Sequence, residues 1–250
     1  MTRIYDFLAP ALGIGGGVAL ALLVVFLLLG PFKRFWVFLV YVCWELVASI
    51  GLTLADLHYN GTSQVTSDAG KIYARLYWTN DVIVDLLRFV LIAVLIYHVV
   101  GSSKPQLGKG LSALVLVMVV LPFVLFQPIF SGTPSHTLFP AKYPRAAWFN
   151  STSQLLNFGA AIMNVVLWGA LIQTKKRDPQ ILAVSVGLGI LVTGTAISLG
   201  LRHFTPPGEL TATFNLFINL SQLAATLIWC RAFWPVSKDA PPGGAVVLSQ

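Results

Sequence analysis

Seven long apolar runs constrain this chain more than any other feature of its sequence. A helix needs about 20 apolar residues to cross a bilayer, and runs of that length favour helices, whose backbone satisfies its own hydrogen bonds in lipid. We therefore predict an all-α, polytopic membrane protein with a seven-helix transmembrane domain over residues 1–234. The predicted spans are Phe7–Leu29, Phe35–Leu57, Tyr73–Val100, Leu111–Phe130, Trp148–Gln173, Ile181–Leu201 and Thr213–Trp234.

The composition agrees with this class. Hydrophobic residues make up 56% of the chain and charged residues 10%, whereas soluble domains carry about 25% charged residues. The net charge of +7 arises from short basic clusters between the apolar runs. Such clusters are typical of topology determinants and lipid contacts, not of nucleic-acid binding. Residues 235–250, which include Pro241-Pro242-Gly243-Gly244, are expected to form a disordered cytoplasmic tail.

The basic residues between the spans predict an orientation. Nine fall on one side and six on the other, and the larger set occupies the tighter loops. Because cytoplasmic loops are enriched in Lys and Arg, we place the larger set inside a cell or inner membrane, with the N-terminus outside and the C-terminus cytoplasmic. The cytoplasmic set is Lys33, Arg34, Lys104, Lys109, Lys175, Lys176, Arg177, Arg231 and Lys238. The outer set is Arg3, Lys71, Arg75, Lys142, Arg145 and Arg202.

The third span carries charges at helical spacing. Asp81, Asp85 and Arg88 are spaced i, i+4 and i+7, so one helix face holds all three. A charge near the bilayer centre costs at least about 2.5–3.5 kcal/mol, and such residues therefore face a bundle interior and are usually paired. Two interpretations follow, a structural ion pair that sets helix register and a binding site for a ligand, ion or proton.

Glu45 in the second span is expected to join this group. It lies about 15 Å from the cytoplasmic end of its helix, near the midplane, and the next helix runs back past it. Glu45, Asp85 and Arg88 should therefore meet at one depth. Because one cation cannot neutralise two carboxylates in a low-dielectric interior, one acid is expected to hold a proton.

Amides and small residues mark the other spans. Asn157 and Asn164 in the fifth span, and Asn215, Asn219 and Gln222 in the seventh, either hydrogen-bond between helices or bind a solute. The first span holds glycines at 13, 15, 16 and 17, and the sixth at 187, 189 and 194. The first span is expected to approach a neighbour closely, and the sixth is expected either to do the same or to leave room for a solute. The fourth span has almost no polar side chain and is predicted to face lipid.

The two halves of the chain resemble each other weakly. Residues 46–59, LVASIGLTLADLHY, match 191–204, LVTGTAISLGLRHF. The match suggests a three-plus-one-plus-three plan of parallel repeats, which in transporters places the site at the repeat interface. This architecture is similar to the SWEET sugar transporters and their proline–glutamine-loop relatives, and Pro179-Gln180 precedes the sixth span. Residues 32–100 also resemble uncharacterised seven-span bacterial membrane proteins through Lys33-Arg34-Phe35-Trp36 and Tyr77-Trp78, a resemblance that implies no activity.

Several classes of membrane protein do not fit the sequence. Residues 212–230 lack the lysine of a retinal protein, His98 is the one histidine in a predicted span, and the His-Glu-x-x-His motif of zinc proteases is absent. We therefore predict no catalytic residue, metal or cofactor.

Two hypotheses remain. One is a protein that binds or translocates a small solute or ion through a polar bundle interior. The other is a receptor or scaffold subunit that signals through a partner protein or an oligomer. The candidate binding residues are Glu45, Asp81, Asp85, Arg88, Asn157, Asn164, Asn215, Asn219 and Gln222.

The orientation can be checked by labelling introduced cysteines with an impermeant maleimide. A Lys176→Cys variant should react only after permeabilisation, and a Ser63→Cys variant in the second interhelical loop should react in intact cells. Cys43 and Cys230 lie inside predicted spans and should add little background. Labelling of residue 176 in intact cells would show that the topology is inverted.

Overall fold

Six long α-helices make up most of the part of the chain that the structure describes. The structure is a computed structural model, and it describes residues 2–30, 33–58, 68–100, 109–110, 113–117, 120–121, 144–173, 178–202 and 211–235. The helices are α1 (Thr2–Leu29), α2 (Trp36–His58), α3 (Asp68–Val100), α4 (Pro144–Gln173), α5 (Pro179–Arg202) and α6 (Thr211–Phe233).

Each of these six helices contains a stretch that is long and apolar enough to cross a membrane. The stretches run from 19 residues in α1 to 29 in α3. The predictions of an all-helical fold and of a membrane-embedded protein are therefore confirmed. Most of the predicted fourth span lies outside the described residues, as does the tail from residue 236, so the count of seven spans stays a prediction. Within that span, residues 113–117 and 120–121 are helical, and Leu116 and Val117 are exposed, as lipid-facing side chains should be.

The six helices form a closed ring in chain order. Each helix packs against its neighbours in sequence, and α6 packs back against α1. The described residues of the fourth span are mostly exposed. In such a ring, α1, α2 and α3 pack against one another in the same order as α4, α5 and α6 do. A ring in chain order has this property whatever its origin, and the repeat therefore stays a prediction.

One half of the ring interior is a dry core with an aromatic layer across it. The layer consists of Phe35, Phe38, Tyr41, Trp229 and Phe233, all of them buried. Phe38 meets Trp229 edge to face with ring centroids 5.1 Å apart, and Phe35 meets Phe233 in the same way at 5.1 Å. The Trp229 indole N–H donates to the backbone carbonyl of Val184 at 3.2 Å. The layer thus joins the start of α2 to α5 and to the end of α6.

Glycines in α5 allow the close approach that the sequence predicted. A Cβ atom at Gly187 would lie 2.2 Å from the Trp229 indole nitrogen, and one at Gly194 would lie 2.3 Å from the Ser221 hydroxyl oxygen. The glycine face of α1 makes no such contact with the residues that the structure describes. A Cβ atom at Gly13 or Gly17 would meet nothing within 4 Å, because α1 enters the core through Leu20, Leu23 and Leu27 instead.

The contact at Gly187 predicts a specific packing defect. In a Gly187→Ala variant the new methyl group would meet a rigid, buried indole ring, and overpacking of this kind costs about 1–3 kcal/mol. We expect a lower thermal unfolding temperature in detergent. Gly200→Ala is the matched control on the same helix, because its Cβ atom would meet nothing within 4 Å. Equal stability of the two variants would contradict the observed α5–α6 packing.

Candidate functional site

Arg88 lies at the centre of the bundle between two carboxylates. Its Nη2 atom donates to Glu45 Oε1 at 2.8 Å, and its Nη1 atom donates to Asp85 Oδ1 at 3.0 Å. Nε donates to the hydroxyl oxygen of Tyr41 at 3.2 Å. All three nitrogens of the guanidinium group therefore have protein acceptors. The predicted meeting of Glu45, Asp85 and Arg88 is confirmed.

Helical spacing and antiparallel depth explain this arrangement. Asp85 and Arg88 lie three residues apart and therefore project from one face of α3. Glu45 approaches from α2, which packs beside α3. Each of the three residues is at most 7% exposed, so the charges lie away from lipid and bulk water. A buried arginine of this kind depends on its partners, because the desolvation of an unpaired charge is strongly unfavourable.

Two further residues complete the cluster. The Tyr41 hydroxyl donates to Glu45 Oε1 at 2.8 Å while it accepts from Arg88, and Ser153 in α4 hydrogen-bonds to Asp85 Oδ2. The sequence contains one indication of a polar role for each of these two residues. Tyr41 precedes Glu45 by four residues, and Ser153 precedes Asn157 by four residues, so each lies on the polar face of its helix. We call these five residues, Tyr41, Glu45, Asp85, Arg88 and Ser153, the central cluster.

A cavity of about 350 Å³ extends from the central cluster toward one end of the bundle. Its rim includes Ser49 and Tyr77, both of them exposed. Side chains from five of the six helices line it, α1 being the exception. The lining residues that the sequence predicted as candidates are Glu45, Asp81, Asp85, Arg88, Asn215, Asn219 and Gln222.

The amide candidates divide into two groups. Asn215, Asn219 and Gln222 of α6 line the cavity, and Gln222 Nε2 donates to Glu45 Oε2 at 3.4 Å. Asn157 lies behind the wall, where its Nδ2 donates to the backbone carbonyl of Ser153 at 2.9 Å. Asn164 accepts from the Ser185 hydroxyl at 3.3 Å, so it joins α4 to α5 as an interhelical hydrogen bond. Neither Asn157 nor Asn164 lines the cavity.

The aromatic layer lies directly beyond the central cluster. Tyr41 belongs to both groups, since its hydroxyl contacts Arg88 and its ring meets Trp229 with centroids 6.1 Å apart. At the far end of the bundle Arg34 forms an ion pair with Asp178, which also accepts from the backbone N–H of Gln180 at 2.9 Å and so caps α5. Among the described residues, the cavity therefore has a polar mouth at one end and a packed base at the other.

No protein-family model, curated protein or solved structure gives a significant match to this chain. The geometry of the cavity and of the central cluster is therefore the basis for assigning a role. The cavity is lined by carboxylates, amides and hydroxyl groups. Its volume lies within the range of about 300–1,000 Å³ that small-molecule sites occupy.

The central cluster predicts a large effect of removing its cation. Arg88→Ala leaves Glu45 and Asp85 buried without their shared partner, and breaking a buried ion pair in this way costs about 3–5 kcal/mol. We expect a correspondingly lower free energy of unfolding. Arg75→Ala, which removes an exposed arginine from the same helix, should have little effect.

A combined variant separates lost charge balance from lost packing. In Arg88→Met with Glu45→Gln and Asp85→Asn, the cluster has no charge left to neutralise. This protein should be more stable than Arg88→Ala alone. If Arg88→Ala is as stable as the parent protein, the cluster does not organise the fold.

Proposed function

We propose that this membrane protein is a carrier that binds a small polar solute or ion in the cavity above Arg88 and moves it across the bilayer. The observation that carries the proposal is the cavity itself, whose polar wall reaches from exposed residues to a buried ionic cluster. Polar groups inside a membrane bundle are costly, and they characteristically mark solute or ion pathways. Interhelical adhesion would also place polar groups inside the bundle, but adhesion does not require an open volume.

The packed base supports a carrier over an open channel. A channel needs a continuous polar path, whereas the aromatic layer and the surrounding aliphatic core lie between the cavity and the Arg34–Asp178 ion pair. A solute that enters from the mouth would therefore bind at the central cluster and go no further. Its passage would require the base to separate and the mouth to close, as in alternating access.

One observation favours the second candidate, a receptor or scaffold subunit. Every nitrogen of Arg88 is already paired, and both carboxylates have more than one donor. A buried cation with all of its nitrogens paired is what a purely structural role requires. Under this hypothesis a ligand in the cavity would alter contacts with a partner without crossing the membrane.

A cavity-filling substitution tests whether the cavity binds solute. Asn219→Trp places a large ring within the cavity wall, whereas Leu220→Trp places the same ring on a side chain that is 47% exposed. Ligands that bind the native state raise its unfolding temperature. In a screen of polar solutes, the parent and Leu220→Trp proteins should both be stabilised by at least one solute, and Asn219→Trp should lose that response.

Proteoliposome uptake then separates the two candidates. The stabilising solute should accumulate inside vesicles that contain the parent protein and not in those that contain Asn219→Trp. Stabilisation without uptake would favour the receptor or scaffold. An Asn219→Trp protein that responds like the parent would show that the solute binds elsewhere.

A further inference from the structure

The charges on the cavity wall are unequal. Among the described lining residues, three are acids, Glu45, Asp81 and Asp85, and Arg88 is the one base. The other lining side chains are amides, hydroxyls and apolar groups. In a site surrounded by low-dielectric protein and lipid, an excess of one sign acts strongly on any charged solute that enters.

Arg88 is poorly placed to bind an anion. Its nitrogens donate to Glu45, Asp85 and Tyr41 at 2.8, 3.0 and 3.2 Å. A carboxylate or phosphate that approached Arg88 would have to displace one of these acceptors. It would also lie beside Glu45 and Asp85, of which at least one is expected to be ionised, and like charges at such distances repel. The arrangement therefore selects against anions at the base of the cavity.

The acids retain capacity to accept hydrogen bonds from a cation. An ionised carboxylate has about four lone-pair sites, and Gln222 contacts the second oxygen of Glu45 only at 3.4 Å. Asp81 has an interaction of its own within the protein, and it also lines the cavity one helical turn nearer the mouth than Asp85. The amide oxygens of α6 can add further acceptors. This wall suits an ammonium group.

We propose that the ligand is a small organic cation that carries an amine or ammonium group, with Asp81 as the carboxylate that it meets first. The inference rests on the proposed function and narrows it to a class of solute. A cavity of about 350 Å³ holds several non-hydrogen atoms, so it is larger than a bare metal ion needs. The ammonium group would lie between Asp81 and the central cluster, with the rest of the molecule toward the amides of α6.

Three probes of similar size and different charge test the proposal. Ethanolamine, ethylene glycol and glycolate share a hydroxylated two-carbon frame and are cationic, neutral and anionic at neutral pH. Purified full-length protein is titrated with each in detergent, at constant ionic strength set with sodium chloride, and the unfolding temperature is followed. We expect a saturable increase with ethanolamine and none with the other two or with sodium chloride alone.

Variants at Asp81 test the predicted contact. Asp81→Asn should raise the half-maximal ethanolamine concentration at least tenfold, and Asp81→Glu, which keeps the charge, should restore most of the response. Asp178→Asn makes the same chemical change at the opposite end of the bundle and should respond like the parent. Because each variant is compared with its own ligand-free state, differences in basal stability do not affect the comparison.

The outcomes distinguish the cation inference from the carrier proposal. Equal or greater stabilisation by glycolate, ethylene glycol or sodium chloride overturns the organic cation, as does an unchanged Asp81→Asn titration. If ethanolamine has no effect while another polar solute stabilises the parent and not Asn219→Trp, the cation inference fails and the carrier proposal stands. If no solute in the broad screen stabilises the protein, both fail.

Discussion

The bond network of Arg88 is the interaction on which the rest of the structure depends. A guanidinium group is planar and always charged, so it can hold two carboxylates in fixed directions. Here it links Glu45 of α2 to Asp85 of α3, and these acids in turn accept from Gln222 of α6 and Ser153 of α4. Four helices therefore share one ionic centre. Any shift of one helix along its axis would lengthen a bond to a buried charge, which makes this centre a strong determinant of helix register.

Helix α5 is held in the bundle by a different force. It contributes no charged group to the centre, and 61% of its membrane-spanning stretch is buried. Small residues let its neighbours come close enough for van der Waals contact, which replaces the hydrophobic effect as the source of helix association in lipid. The indole of Trp229 packs against Gly187, and the Asn164 side chain packs against Gly189. Ionic pairing and close packing thus act on different sides of the same ring.

The central ion pairs were predictable from the sequence because helical spacing and depth are both properties of single helices and short connections. Other features were not. Only the distance of four residues between Tyr41 and Glu45 indicated that this aromatic side chain has a polar role. The contact of α1 with α6, for example Cys230 to the carbonyl of Ala19, joins segments from opposite ends of the chain. The glycines of α1 show the same difficulty, since a small-residue face permits close packing without specifying a partner.

The position of the central cluster between the cavity and the aromatic layer gives it a double role. Arg88 forms part of the cavity floor, and through Tyr41 it contacts the dry core below. A cation that bound near Glu45 and Asp85 would compete with Arg88 for their negative charge. The bonds that would weaken are those that join α2, α3, α4 and α6. Under the proposed function, binding energy would therefore act directly on bonds that join four of the helices around the cavity. This is the physical requirement for coupling a solute to a change of access, because a ligand shifts a conformational equilibrium only by its differential affinity for the two states.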